Sequence, residues 1–174
     1  MKVEVVKVGF LECNCYVVSK GNDCLVIDPG DELDKIVKLI GEKKVKGILI
    51  THNHFDHVGC VDSLSLKYNV KIYDYNNLDE GVNSVDKFKF EVIYTFGHTM
   101  DSVSYYFRDD KIMFTGDFLF KDTVGRCDLD GGNYNLMLDS IKKIKKYDDD
   151  IIIYPGHGEF STLGDEKKNN SYFM

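Results

Sequence analysis

Residues 51–59 read Thr-His-Asn-His-Phe-Asp-His-Val-Gly and hold three of the five histidines in a chain of 174 residues. The stretch follows residues 45–50, whose apolar and β-branched composition predicts a buried strand. Imidazole nitrogens and carboxylate oxygens are the side-chain ligands that bind zinc, iron and manganese. Several such side chains at the end of a strand therefore indicate a metal site.

The spacing within this stretch suits two neighbouring ions. His52 and His54 lie two positions apart in an extended segment, so both side chains can point to the same side. Asp56 and His57 lie where the chain is expected to turn into a helix, so their side chains can point elsewhere. One short motif can therefore contribute ligands to two metal ions.

Three further candidates, His98, Asp117 and His157, lie at strand ends elsewhere in the sequence. The strands before them are predicted over residues 87–95, 111–115 and 151–154. Glycines, which permit close approach and unusual backbone angles, stand beside these positions at Gly59, Gly97, Gly116, Gly156 and Gly158. An isolated histidine is more often a core or surface residue, and an aspartate at a helix start is more often a cap. Seven such residues at converging strand ends favour a metal site instead.

The remaining pattern predicts an α+β fold. Further strands are predicted over residues 3–8, 14–18, 24–27, 71–74 and 102–107. Helices are predicted over residues 33–40, with Asp31 as the cap, and over residues 56–68 and 134–147. Runs of strands followed by helices suit two packed sheets with helices on the outside. Because no linker or repeat interrupts the pattern, residues 1–174 are predicted to form a single domain.

Composition excludes several classes of partner. The chain has 22 Lys and Arg against 29 Asp and Glu, a formal charge of −7, so we expect no nucleic-acid partner. No apolar run is long enough for a membrane span, and the start lacks the apolar stretch of a signal peptide, so a cytoplasmic location is expected. The five cysteines form no CxxC pair and are expected to be reduced thiols that serve as small core residues.

Residues 51–59 resemble the signature of the metallo-β-lactamase superfamily. The order His52, His54, Asp56, His57, His98, Asp117 and His157 is similar to the full ligand set of its glyoxalase-II-like branch. Other stretches that resemble small single-domain members of this branch are residues 25–30, 116–120, 125–129, 154–158 and 162–166. The resemblance implies a four-layer αββα sandwich, in which two mixed β-sheets are flanked by helices, with a dinuclear metal site on its rim.

The resemblance also implies how the ligands are divided and what reaction they support. His52, His54 and His98 would hold one divalent ion, Asp56, His57 and His157 the other, with Asp117 between the two. Zinc is the expected metal, with iron or manganese as alternatives. The implied activity is hydrolysis of a small acyl thioester, similar to S-lactoylglutathione, by a hydroxide that the two ions share and that Asp56 orients.

The thiol carrier stays open, because only 17 residues (158–174) follow His157 and the helical domain with which glyoxalase II binds glutathione is not expected. A thiolate can leave without a general acid, and the candidates if an acid is needed are Tyr105, Tyr106 and a metal-bound water. Asp28 is either an acceptor for a ligand imidazole or a turn residue. The oligomeric state is not predicted.

Other activities on the same fold remain alternatives. A persulfide dioxygenase would use one iron held by two histidines and one aspartate, and the four other ligands would then have no role. A lactonase or a β-lactamase would use the same two ions. A nuclease is disfavoured by the acidic composition, and a non-catalytic binding module would not require two ions that activate water.

Overall fold

The first half of the chain forms a five-stranded mixed sheet in a computed structural model that describes residues 1–174. In spatial order the strands are β1 (Lys2–Val8), β2 (Cys13–Lys20), β3 (Asp23–Ile27), β4 (Lys44–Leu49) and β5 (Ile72–Tyr73). The first three pair antiparallel, and β3, β4 and β5 pair parallel. Parallel strands covered on both faces need apolar side chains throughout, which explains the nearly continuous apolar run of β3.

The second half forms a six-stranded mixed sheet and a separate hairpin. The strands are β6 (Gly81–Val85), β7 (Phe88–Tyr94), β8 (Val103–Phe107), β9 (Ile112–Gly116), the hairpin strands β10 (Leu119–Phe120) and β11 (Thr123–Val124), and then β12 (Ile152–Pro155) and β13 (Ser161–Thr162). The order in this sheet is β13-β12-β9-β8-β7-β6, in which only β9 and β12 run parallel.

Helices cover the outer face of each sheet. They are α1 (Leu33–Ile40), α2 (Phe55–Val58), α3 (Val61–Tyr68), α4 (Tyr134–Ile144) and α5 (Leu163–Asn169). An apolar cluster rich in aromatic side chains joins the two sheets, a second lies beneath α1 and α3, and a third beneath α4 and α5. The predicted αββα sandwich of two mixed sheets is confirmed. None of the helices combines the length and the apolar composition that a membrane span requires.

The helix predicted over residues 56–68 is in fact two helices. The break falls at Gly59 and Cys60, where the backbone N–H of Cys60 donates to the carbonyl of Pro29 at 2.9 Å. Gly59 also packs directly on Gly30, because a Cβ at Gly59 would lie 2.2 Å from the Gly30 oxygen. Contact with the loop after β3 therefore interrupts the helix just behind the histidine motif.

Smaller departures occur elsewhere. Glu32, not Asp31, occupies the cap position of α1, and its side chain makes no capping hydrogen bond. The third predicted helix ends at Ile144 instead of residue 147. Sequence analysis missed β6, the β10–β11 hairpin, β13 and α5. Three of these strands have only two residues, too few to show an alternating pattern.

Candidate metal centre

The structure brings all seven predicted metal ligands to one edge of the sandwich. Each lies just beyond the end of a strand or on the short helix that follows one: His52 and His54 after β4, Asp56 and His57 on α2, His98 after β7, Asp117 after β9, and His157 after β12. The strands that precede them belong to both sheets, so the site forms only when the two sheets pack together.

Three imidazoles form the first group of candidate ligands. The Nδ1 atom of His54 lies 3.1 Å from Nε2 of His52 and 2.9 Å from Nε2 of His98. These three nitrogens all lie within 4.8 Å of one another, close enough to share one ion. The Nδ1 atom of His98 donates to the carbonyl of Arg126 at 2.7 Å, which leaves Nε2 as the nitrogen with a free lone pair.

Asp56, His57 and His157 form the second group, and Asp117 lies between the two groups. Oδ2 of Asp56 lies 3.2 Å from Nε2 of His157 and 3.7 Å from Nε2 of His57. Oδ1 of Asp117 lies 3.3 Å from Nε2 of His57, and its Oδ2 lies 3.6 Å from Nε2 of both His98 and His157. One carboxylate thus faces imidazoles of both groups.

In the second group, the Nδ1 atoms of both histidines donate hydrogen bonds to oxygen atoms. Nδ1 of His57 donates to Oδ2 of Asp28 at 2.9 Å, and Nδ1 of His157 donates to the carbonyl of Leu11 at 3.0 Å. Asp28 also accepts from the backbone N–H and the hydroxyl of Thr51, and its φ is 50°. Asp28 therefore serves both as the acceptor for an imidazole and as a turn residue. Thr51, which fixes the carboxylate of Asp28, was missed from the sequence.

Two buried atoms at the centre have no hydrogen-bond partner. They are Nε2 of His57 and Oδ1 of Asp117, which lie 3.3 Å apart without bonding to each other. A buried polar atom without a partner costs free energy, about 1–3 kcal/mol and more for a charged group. A cation between these atoms would satisfy both, and imidazole nitrogens with carboxylate oxygens are a donor set that suits divalent zinc or iron.

The electrostatics of the ligands follow from burial and mutual proximity. Burial holds the pKa of His52 well below its usual value, with help from the neighbouring imidazoles, so this imidazole stays neutral. Burial would also lower the pKa of His57, but the carboxylates of Asp117 and Asp28 outweigh it and raise that pKa well above its usual value. Burial would raise the pKa of Asp117, but His57 and the other imidazoles lower it.

Cys13 lies directly behind this group. Its Sγ is 3.6 Å from Nδ1 of His57, and Cys13, His57 and His157 lie close enough to be considered as a metal site. However, Nδ1 of His57 already donates to Asp28, and burial raises the pKa of the Cys13 thiol to about 11. A protonated thiol is a poor ligand, so Cys13 acts as a small buried residue against His57.

A cavity of about 570 Å³ opens over the ligands. Five candidate ligands line it, while His52 and His57 lie buried beneath. Of the apolar run after Asp117, Phe120 lines the cavity, whereas Phe118 and Leu119 belong to the core. Tyr105 and Tyr106 are wrong as candidate acids. Tyr105 is fully buried and donates to the carbonyl of Ile50, and Tyr106 packs in the core beneath α4.

Asn14 joins the loop of His157 to the opposite sheet and was also missed from the sequence. From β2, its side-chain amide donates to the carbonyls of Pro155 at 3.1 Å and Gly158 at 3.0 Å. Its backbone N–H donates to the carbonyl of Gly156 at 2.7 Å. These bonds span more than 140 residues of sequence, so the composition of either segment alone gives no sign of them.

We expect Asn14→Ala to lower the free energy of unfolding of the metal-free protein by about 3 kcal/mol, because two carbonyls lose their buried donor. The matched control is Asn83→Ala, since the amide of Asn83 also bonds two backbone carbonyls, those of Asp79 and Gly81, but at a more exposed site. Its loss is expected to stay below about 1 kcal/mol. Urea denaturation measures both values, and equal losses in the two variants would contradict the role of Asn14.

Comparison with known proteins identifies the family. A model of the metallo-beta-lactamase superfamily matches residues 8–80 and 74–157. The hydroxyacylglutathione hydrolase GloC of Haemophilus influenzae is 30% identical, over 99% of this chain and 98% of its own length.

Two solved structures share the whole fold. The BLEG-1 B3 metallo-beta-lactamase superposes with a TM-score of 0.96 at 27% identity, covering 99% of this chain and all of its own. TTHA1623, described in a di-iron-bound form, superposes with a TM-score of 0.89 at 30% identity, covering 97% of this chain and 99% of its own. The chain therefore belongs to the metallo-beta-lactamase superfamily.

Proposed function

We propose that this chain is a metal-dependent hydrolase that cleaves small acyl thioesters. In this proposal His52, His54 and His98 hold one divalent ion, Asp56, His57 and His157 hold a second, and Asp117 contacts both. Zinc is the metal we favour, with iron or manganese as alternatives. The observation that carries the proposal is the buried and unpartnered pair, Nε2 of His57 and Oδ1 of Asp117, beneath an open cavity.

The metal ions, when bound, would lower the pKa of a water molecule and polarise a carbonyl oxygen. Asp56 would then orient the attacking water, because its carboxylate lines the cavity and is kept ionised. Burial alone would raise the pKa of Asp56, but the interaction with His157 and the charge of His57 lower it. An ionised carboxylate only accepts hydrogen bonds, so it can hold one O–H of water in a fixed direction.

The cavity wall favours a leaving group that needs no proton. It contains no lysine, tyrosine, cysteine or glutamate, and its only cation besides the imidazoles is Arg126, whose guanidinium stays protonated. A thiolate, whose thiol has a pKa of about 8.5, departs unprotonated, whereas an amine or an alkoxide generally needs a general acid. Similarity to GloC, whose name describes hydrolysis of a hydroxyacylglutathione, supports the same substrate class.

Other features bear on where the enzyme works. All five cysteines are free, which suits a reducing compartment and supports a cytoplasmic location. The partner we propose is a small-molecule substrate and neither nucleic acid nor a membrane, in keeping with the net charge of −7. A second candidate activity is β-lactam hydrolysis, which is favoured by the similarity to BLEG-1.

Elemental analysis combined with a substrate panel tests the proposal. We expect two metal ions per chain, and a kcat/KM for thioesters about a hundredfold above that for lactones and β-lactams. Chelation should abolish thioester hydrolysis, and added zinc, iron or manganese should restore it. One iron per chain with thiol-dependent oxygen uptake would instead indicate a dioxygenase. Faster turnover of a β-lactam than of any thioester would establish the second candidate.

A further inference from the structure

The cavity above the candidate ligands has an apolar wall that the proposed chemistry does not require. Leu11, Phe55, Phe120 and Leu129 line it together with the metal-binding side chains. Leu11, Phe55 and Leu129 are exposed, at 44%, 65% and 41%. Phe10, 83% exposed, stacks against Phe55 with ring centroids 6.3 Å apart. Single exposed apolar residues are ordinary, but three that line one cavity, together with the half-buried Phe120 and the adjoining Phe10, mark a binding surface.

The apolar residues come from both sides of the site and are tied to it. Leu11 lies in the turn between β1 and β2, and its carbonyl accepts from Nδ1 of His157. Leu129 lies in the loop before α4, where its carbonyl accepts a hydrogen bond from the backbone N–H of Gly132 at 2.8 Å. Phe55 directly follows His54. The apolar surface is thus preformed against the metal ligands and not added by a separate segment.

Apart from the proposed metal ions, the cavity wall offers only one cationic side chain to an anionic thiol carrier. Arg126 is the one lysine or arginine that lines the cavity, and its guanidinium forms two hydrogen bonds with Asp128, at 2.7 and 2.8 Å. A carrier with two carboxylates, such as glutathione, would have to compete with Asp128 for this cation. A neutral thiol has no such cost, and an apolar acyl chain gains from the wall.

We propose that the preferred substrates carry an apolar acyl chain of about four to eight carbons on a neutral thiol, which fits a cavity of this size. This inference rests on the proposed thioester hydrolysis and specifies its substrate class. In the reaction, the water oxygen forms a C–O bond to the acyl carbon, and the C–S bond breaks with its electron pair moving to sulfur. One water proton ends on the thiol and the other in solvent, leaving a carboxylate.

A series of thioesters with increasing acyl chain length, here called the ladder, tests the inference. Acetyl, butanoyl, hexanoyl and octanoyl thioesters of N-acetylcysteamine, which is neutral, are compared with butanoyl- and S-lactoylglutathione on the metal-loaded protein. We expect kcat/KM to rise about two- to fourfold for each added methylene up to hexanoyl. We also expect butanoyl-N-acetylcysteamine to exceed butanoylglutathione. Calorimetry with thioether ketone analogues, in which a CH₂ group separates sulfur from the carbonyl, measures the same preference without turnover.

Substitutions in the apolar wall test whether it causes the preference for longer acyl chains. Leu129→Ala and Phe55→Ala are each expected to lower the hexanoyl-to-acetyl ratio of kcat/KM by about tenfold. The control is Leu66→Ala, because Leu66 is 85% exposed on α3 and does not line the cavity, so its ratio should match that of the unaltered protein. A flat ladder, or a preference for lactoylglutathione over hexanoyl-N-acetylcysteamine, would overturn this inference alone. Hydrolysis of no thioester at all would overturn the proposed function, while calorimetry would still decide the apolar preference.

Discussion

Replacing Asp117 with alanine is expected to reduce bound metal from two ions to fewer than one per chain and to lower kcat/KM by about a thousandfold or more. Asp117 faces imidazoles of both groups, through contacts of 3.3 Å to His57 and 3.6 Å to His98 and His157. Its removal therefore affects both proposed ions at once. His54→Ala acts on the first group and is expected to give a comparable loss of activity.

Elemental analysis, kinetics and circular dichroism together measure this result. The fold should persist, because the aromatic cluster between the sheets does not include Asp117. Asp139→Ala is the matched control, since Asp139 is an exposed aspartate on α4 that pairs with Lys142 at 2.9 Å. It should keep both metal and activity. Full metal retention in Asp117→Ala and His54→Ala would show that these residues are not ligands.

The candidate ligands could be predicted from the sequence because the patterns that indicate them lie within short segments. His52, His54, Asp56 and His57 fall within six residues, and an apolar strand precedes them. Each remaining candidate also follows a strand with a clear apolar pattern. Strand ends meet at the edges of sheets, so convergence could be expected without knowing the topology.

The residues that hold the candidate ligands in place could not be predicted from the sequence, because their hydrogen bonds join distant parts of the chain. Asp28 bonds His57 across 29 residues, and Asn14 bonds the loop of His157 across more than 140. Either residue alone is an ordinary turn or strand residue. Their roles appear only when it is known that β3 pairs with β4, and that the start of β2 lies against the end of β12 in the other sheet.

The break between α2 and α3 has a similar origin. Residues 56–68 have no proline, and a single glycine is tolerated in many helices, so the pattern predicts one continuous helix. The interruption arises because the Cys60 N–H bonds to Pro29 and because Gly59 approaches Gly30 too closely for any side chain. A tertiary contact thus overrides local propensity at the point where the chain must place Asp56 and His57.

The glycines of the His157 loop allow the close packing of the site to be tested directly. Gly156 lies against two of the candidate metal ligands, since a Cβ there would be 2.2 Å from Oδ1 of Asp117 and 2.7 Å from Cε1 of His57. At Gly158, two residues later, a Cβ would meet no atom within 4 Å, but the backbone φ is +78°. One position is limited by space, and the other only by backbone conformation.

We expect Gly156→Ala to lower kcat/KM by about a hundredfold or more, because displacement of a reacting or ligating group by about 1 Å is enough for such a loss. The methyl group must push Asp117 away from His57, so at least one metal ion per chain should also be lost. Gly158→Ala should cost about 1–2 kcal/mol of stability from its left-handed backbone, with activity within about threefold of the unaltered protein.

The two alanine variants separate a steric effect on the ligands from general damage to the loop. If the loop simply tolerates no change, both variants should lose metal and activity to similar extents. If the contact with Asp117 is what matters, only Gly156→Ala should do so, even when urea denaturation shows that Gly158→Ala is the less stable of the two. Full metal content and activity in Gly156→Ala would mean that Asp117 can move without consequence, which contradicts its proposed place between the two ions.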